Sequence, residues 1–294
     1  EEYTKNLATY FVVSRATGPV QHKVVVGADY IRFTTDRQSS MFEARQKLVN
    51  GAPVPLTFDL NNPVYEIQDP TKYVRRPLPQ FFVDYLNSIY HTTGLYLQDQ
   101  LEVTPKLGLL LGVRYELFAD ERDYGDGTQN IAQRRLLPRA GLTYALLGNL
   151  NYFASYSAGF RPLKPEYIRF PERYGRTSAF SPETSYQLET GLKGEFFNQA
   201  LLGTVAVYQI VKRNQLVSTG SLTPDGAPVY RQNGQARSRG AELELTGNIL
   251  ANLSLNANYA FNHTEVLEAD LAVENGQPLA NAPRHSAGLW AKYT

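Results

Sequence analysis

TGLYLQDQLEVTPKLGLLLGVRYE, Thr93–Glu116, decides the fold class. In its first arm Leu95, Leu97, Leu101 and Val103 alternate with Tyr96, Gln98, Gln100 and Glu102, and only Asp99 interrupts the apolar set. After a break at Pro105–Gly108, Leu109, Leu111, Val113, Tyr115 and Leu117 alternate with Leu110, Gly112, Arg114 and Glu116. A period of two is the signature of a β-strand, whose successive side chains point to opposite faces. The same alternation recurs over Leu150–Ala158, Tyr186–Phe196, Ala241–Thr246 and Leu253–Asn262. One face is mostly polar in strand after strand, rich in charges and amides, and several of the apolar faces carry Tyr or Phe.

Composition narrows the class further. The 294 residues carry 29 Lys+Arg against 28 Asp+Glu, and a net charge of +1 argues against a broad nucleic-acid surface. With no Cys there are no disulfides, thiol catalysis or Cys-ligated zinc. The four histidines (His22, His91, His263 and His285) stand at no metal-pair spacing. No apolar run is long enough for a transmembrane helix. A mean hydropathy of -0.35 is compatible with a membrane barrel, which hides its apolar residues at alternate positions. The 20 Tyr and 14 Phe suit a pleated, half-buried surface. Glu102, Arg114, Glu116, Glu189, Lys193, Glu195, Glu242 and Glu244 repeat strand by strand on one face. That pattern describes a wetted wall better than a catalytic carboxylate pair. No triad, metal set or phosphate loop is present, so an enzyme ranks last.

About eleven strands are expected, near 4–14, 20–33, 89–104, 109–123, 136–147, 151–160, 182–197, 201–217, 229–250, 253–265 and 284–294. The joins at Ala16–Pro19, Pro105–Gly108, Gly148–Asn149, Asn198–Ala200 and Leu250–Asn252 are short, whereas 34–88, 124–135, 161–181, 218–228 and 266–283 are long. Short and long joins alternate, as in an outer-membrane barrel with short periplasmic turns and long extracellular loops. Within the longest join, Met41–Asn50 is expected to form a short helix. The prolines after it, Pro53, Pro55, Pro63, Pro70, Pro77 and Pro79, argue against a regular strand. Two rivals share the alternation: a passive porin, and a soluble β-sandwich that would bury the Leu95/Leu97/Leu101 face against protein. Trp290 and the terminal tyrosines of strands are candidates for the aromatic girdle at the lipid–water boundary.

Several strings resemble TonB-dependent siderophore receptors, the ferrichrome-type branch above all. They are Val24–Phe33, Thr93–Glu116, YFASYSAGFRP (Tyr152–Pro162), FSPETSYQLETGLKGEFF (Phe180–Phe197), NGQARSRGAELELTGNI (Asn233–Ile249), Leu253–Val266 and Gly276–Thr294. They occur in the family's order. The resemblance implies an antiparallel transmembrane β-barrel of about 22 strands with an N-terminal plug and TonB box. On this expectation residues 1–294 are a partial barrel domain, an internal fragment inactive on its own, without the plug and the C-terminal strands. The implied function is outer-membrane uptake of a ferric siderophore, energised through the TonB complex via the N-terminal region. Outer-membrane lipid and lipopolysaccharide would surround the barrel. The iron would arrive already chelated, so neither a resident cofactor nor a protein metal site is expected.

Ligand-binding candidates come from the long joins. Tyr65, Phe81, Tyr85 and Tyr90 lie in or after the longest, and their rings could cap a chelate. Arg161, Arg169, Phe170 and Tyr174 lie in the 161–181 join. Arginine there supplies charge and fork-shaped donors, and the rings supply flat contact area.

Overall fold

The computed structural model describes residues 2–35, 41–55, 61, 73–76, 89–121, 131–224, 226–250, 252–269 and 271–293. Among the described residues, eleven strands form one antiparallel sheet in sequence order. They are β1 (Glu2–Thr17), β2 (Val20–Thr35), β6 (Ile89–Thr104), β7 (Leu107–Asp120), β8 (Ala132–Leu147), β9 (Leu150–Arg161), β10 (Glu183–Phe196), β11 (Leu201–Leu222), β12 (Pro228–Leu250), β13 (Leu253–Glu268) and β14 (His285–Tyr293). Eleven strands are thus found where about eleven are expected. Short turns and long joins alternate as expected except at the β11–β12 join, and every long join leaves the same end of the sheet. No helix of the described residues is long and apolar enough to cross a membrane.

Strand register assigns each residue to a face. Val26, Leu97, Val113 and Pro138 are successive cross-strand partners, as are Tyr152, Leu192, Val205, Leu243 and Tyr259. These rows belong to one continuous apolar face. Nothing among the described residues covers it: Leu95 is 53% exposed, Leu97 48% and Val207 51%. A soluble sandwich would pack this face against a second sheet, so that reading is overturned. An uncovered apolar face of this extent is stable only against lipid. On β10, Tyr186 and Phe196 both point to this face, ten residues apart. At about 3.4 Å per residue and a tilt of about 40°, they stand about 26 Å apart along the membrane normal, matching an apolar band of about 25 Å.

The opposite, lumen face is polar and internally bonded. Arg114 donates to both carboxylate oxygens of Asp29 at 2.6 and 2.9 Å, and its Nε donates to Glu116 at 3.0 Å. The guanidinium crosses three strands by passing over Gly94, where an added Cβ would collide with Arg114 Nη2. Arg139 bonds Gln98, Gln187 donates to Glu189 at 3.0 Å, and Ser238 donates to Asn262 at 2.7 Å. The expected wetted wall is therefore cross-linked between strands.

Four sequence expectations are corrected. Met41–Val49 is a strand, β3, and not a helix; it pairs with β4 (Ala52–Pro55) and β5 (Tyr73–Arg76) in a separate sheet of order β4-β3-β5. Asn50 (φ 51°) and Gly51 (φ 79°) form the two-residue turn, the backbone that an Asn-Gly pair favours in tight hairpins. Pro53 and Pro55 do enter a strand, because β4 is an edge. With Val49 and Ala52 closing the hairpin, both prolines fall at non-bonded positions where no donor to β3 is needed. The join near 218–228 is short, since β11 and β12 continue to Leu222 and from Pro228 through a register shift between Ser218 and Leu222. Trp290 pairs with Asn256 on the lumen face, while Leu289 and Ala291 take the lipid side. It is therefore no part of a lipid girdle.

Candidate functional site: the lumen face at the long-loop end

The buried hydrophobic cluster of the described residues lies beyond the apolar band, in the join between β9 and β10. Leu163, Tyr174 and Phe180 form it, with Tyr167, Ile168, Leu216 and Tyr230 packed around. Pro165 opens a one-turn helix, α1 (Pro165–Arg169), where a missing N–H costs nothing. Pro171 opens a 3₁₀ turn that ends on Gly175 at φ 80°. The rings of Tyr167 and Tyr174 lie 4.5 Å apart, and Tyr167 meets Phe180 and Tyr230 edge-on at 5.8 and 5.6 Å. Burial, reinforced by neighbouring Tyr230, raises the Tyr167 hydroxyl well above the usual tyrosine range, so it stays neutral. Tyr230 and Gln232 share a face of β12 with the lumen residues Glu242 and Glu244, two-residue spacing being preserved between them. The join is thus a packed ledge on the lumen side.

The structure separates the candidates named from sequence. Tyr65, Phe81 and Tyr85 lie outside the described residues. Tyr90 is on the lumen face at the loop end of β6, stacked on Phe33 at 4.9 Å and tilted against Phe118 at 4.9 Å. Arg161 also points to the lumen, and its side chain is 79% exposed. It and Lys212 share the carboxylate of Glu183, at 4.0 and 3.6 Å, which leaves this group of three with an excess positive charge. Phe170 and Arg169 are half-buried at the end of α1, and the Arg173 guanidinium sits 3.9 Å over the Phe170 ring. Tyr174 is 4% exposed, with its ring packed inside the ledge. Phe170 and Tyr174 are therefore brought together in one body, and Tyr90 belongs to a separate aromatic ladder on β2, β6 and β7. Sequence reasoning missed Phe33, Phe118, Glu183, Lys212, Gln133 and Gln232. Register alone would have found Phe33 and Phe118, which share the face of Tyr90.

On the lipid face, a polar level lies above the apolar band. Arg32 donates from Nε and Nη2 to Glu121 at 3.0 and 2.7 Å, and His91 Nδ1 lies 3.0 Å from the same carboxylate. Hydrogen bonding from Arg32 holds the Glu121 carboxyl below the ordinary glutamate range. Lower down, His22 Nδ1 lies 2.7 Å from Asp99 Oδ2. Asp99, the residue that breaks the apolar pattern, is therefore partnered within its own face. Among the described residues no group of three or more His, Cys, Asp or Glu could hold a metal ion.

An antiparallel sheet with one lipid-facing side, a cross-linked polar side and all long joins at one end is the wall of a transmembrane β-barrel. The chain matches the family described as TonB dependent receptor-like, beta-barrel, over residues 2–294, and it belongs to that family of outer-membrane barrels. It is 28% identical over 289 residues to the metal-pseudopaline receptor CntO of Pseudomonas aeruginosa strain UCBPP-PA14, covering 94% of this chain and 36% of that protein. It is 26% identical over 285 residues to the ferrichrome outer membrane transporter/phage receptor of Escherichia coli K12, covering 95% and 34%. The crystal structure of BauA, the ferric preacinetobactin receptor of Acinetobacter baumannii, superposes with a TM-score of 0.71 at 19% identity, covering 99% of this chain and 41% of BauA. The chain spans about a third of the length of the curated relatives it matches.

Proposed function

We propose that the protein is an outer-membrane receptor for a ferric siderophore, in which residues 1–294 build part of the barrel wall and of the mouth. The observation that carries this reading is the ledge. It carries Arg173 over Phe170, and beside it on the lumen side of the loop end stand exposed Arg161, at the end of β9, and Lys212, on β11. A ferric chelate is bulky, oxygen-rich and often anionic, and guanidinium forks and ring faces suit such a surface. The relatives are named for siderophore or metallophore uptake, which supports the same substrate class. Iron is the cargo here and needs no protein ligands while chelated. Among the described residues β1 and β14 are the edge strands of the sheet, and lipid offers no partner for backbone groups at an open edge. We take further strands of the same receptor to pair with them. Energy input through TonB belongs to this proposal, as do contacts with lipid and lipopolysaccharide. No observation favours the porin alternative: the ledge occupies the lumen side of the mouth, where a passive pore needs a clear path.

The test is equilibrium binding of ferrichrome, ferrioxamine B and a ferric catecholate to the purified full-length protein. One class should bind saturably, and Arg161→Ala should weaken it by up to about fivefold, the range for losing one exposed charge contact. Absence of saturable binding for all three would refute the reading.

A further inference from the structure

Two glutamines grip the ledge at its ends. Gln133, near the start of β8, donates from Nε2 to the Leu163 carbonyl at 2.7 Å and accepts the Leu163 N–H on Oε1 at 2.9 Å. Gln232, on β12, accepts the Ser181 N–H at 3.1 Å and donates to the Ser181 carbonyl at 2.7 Å and the Asn214 carbonyl at 2.8 Å. Each amide therefore pairs with both backbone groups of one residue, as a neighbouring strand would. Both glutamines are buried. Asn214, held at φ 60°, reinforces the second grip by donating to the Pro182 carbonyl at 3.0 Å.

The gripped residues bound the packed segment. Leu163 comes two residues after the end of β9, and Ser181 two before the start of β10. The side chains of Leu163 and Phe180, the latter adjacent to Ser181, are two of the three that form the ledge's buried cluster. The grips come from β8 and β12, so the segment is tied to strands on both sides of the β9–β10 pair that it connects. Only an amide fits both roles. Glutamate lacks the donor, and methionine keeps the length with neither donor nor acceptor of comparable strength.

We propose that Gln133 and Gln232 are positioning residues that fix the 162–182 ledge before any chelate arrives, so that affinity depends on two side chains that do not touch the ligand. The inference rests on the reading of this mouth as a ferric-chelate site. Its physical basis is preorganisation: apparent affinity falls in proportion to the fraction of receptor whose site is already in the binding conformation.

The experiment uses the full-length receptor with a spin label at Thr177→Cys, an exposed ledge position in a stretch that has no cysteine. Gln133→Met, Gln232→Met and the double variant are compared with the unmodified receptor. Barrel assembly is checked by heat-modifiable gel mobility. Label mobility is recorded without ligand, and affinity is measured for ferrichrome and ferrioxamine B. The expected result is an immobile label in the parent and a mobile one in the double variant. Affinity should fall about tenfold if the ordered fraction drops to about a tenth, and saturating chelate should restore immobility. A label equally immobile in the double variant overturns the proposal, as does a mobile label with unchanged affinity. If neither of these chelates nor the ferric catecholate binds the parent, the receptor reading fails, and label mobility alone decides whether the glutamines hold the ledge. If the double variant does not assemble, the single variants carry the same two readouts.

Discussion

Leu192 and Lys193 are neighbours on β10 whose fates should diverge. Leu192 lies on the apolar face, four residues before Phe196 and six after Tyr186, and so falls close to the middle of the lipid-facing band. It is 41% exposed among the described residues and is read as lipid-covered. Lys193, paired with Asn151 and Thr204, faces the lumen. Placing arginine at the midplane on the lipid side of a barrel costs about 2–4 kcal/mol. Leu192→Arg should therefore lower stability by that amount, a factor of about 30 to 900 in the folding equilibrium. Lys193→Leu exchanges one side chain for another in a wet lumen and should stay within about 1 kcal/mol. The assay is reversible guanidinium unfolding of the full-length receptor in phospholipid vesicles, followed by intrinsic fluorescence. Equal costs for the two variants, or a larger cost for Lys193→Leu, would refute the assignment of faces and the membrane reading with it.

Three further perturbations follow from the same geometry. His22→Leu should cost about 1–3 kcal/mol by leaving the Asp99 carboxylate without its partner on the lipid face, whereas the double change with Asp99→Leu should be near neutral; a double-mutant unfolding cycle measures the difference. Gly94→Val should displace Arg114 from Asp29 and cost about 1–3 kcal/mol in the same assay. Because the Glu121 carboxyl is held below its ordinary value, its contribution is present above the unfolded glutamate range and is lost as pH falls through the lower folded value. Arg32 is 38% exposed, so the effect should be below about 1 kcal/mol, and Glu121→Gln should remove it from an acid stability titration.

The strands were legible because one side of this sheet meets lipid and the other water, which imposes alternation along the strands between Leu95 and Phe261. Register was less legible. Trp290 reads as a girdle residue by type, and only its pairing with Asn256 places it on the lumen face. Met41–Val49 reads as helix because Glu43, Ala44, Arg45, Gln46 and Lys47 are good helix formers. The deciding signal was the Asn50-Gly51 turn that follows. The extension of β11 beyond Val217 was hidden by Gly220 and its polar neighbours Ser218, Thr219 and Ser221, which break the apolar period. The site was the least legible part. Gln133 and Gln232 belong to no motif, and their importance lies in which backbone groups they reach across the fold. Tyr174 was recognisable as a loop aromatic, but its burial within the ledge depends on Leu216 and Tyr230 from the following hairpin.

The most direct test of the account is radioiron uptake by cells that express the full-length receptor in a background lacking its own siderophore receptors. Saturable uptake of iron from one ferric siderophore class is expected, abolished when the inner-membrane potential is collapsed. Uptake that rises linearly with concentration and persists in de-energised cells would contradict it and identify a passive pore instead.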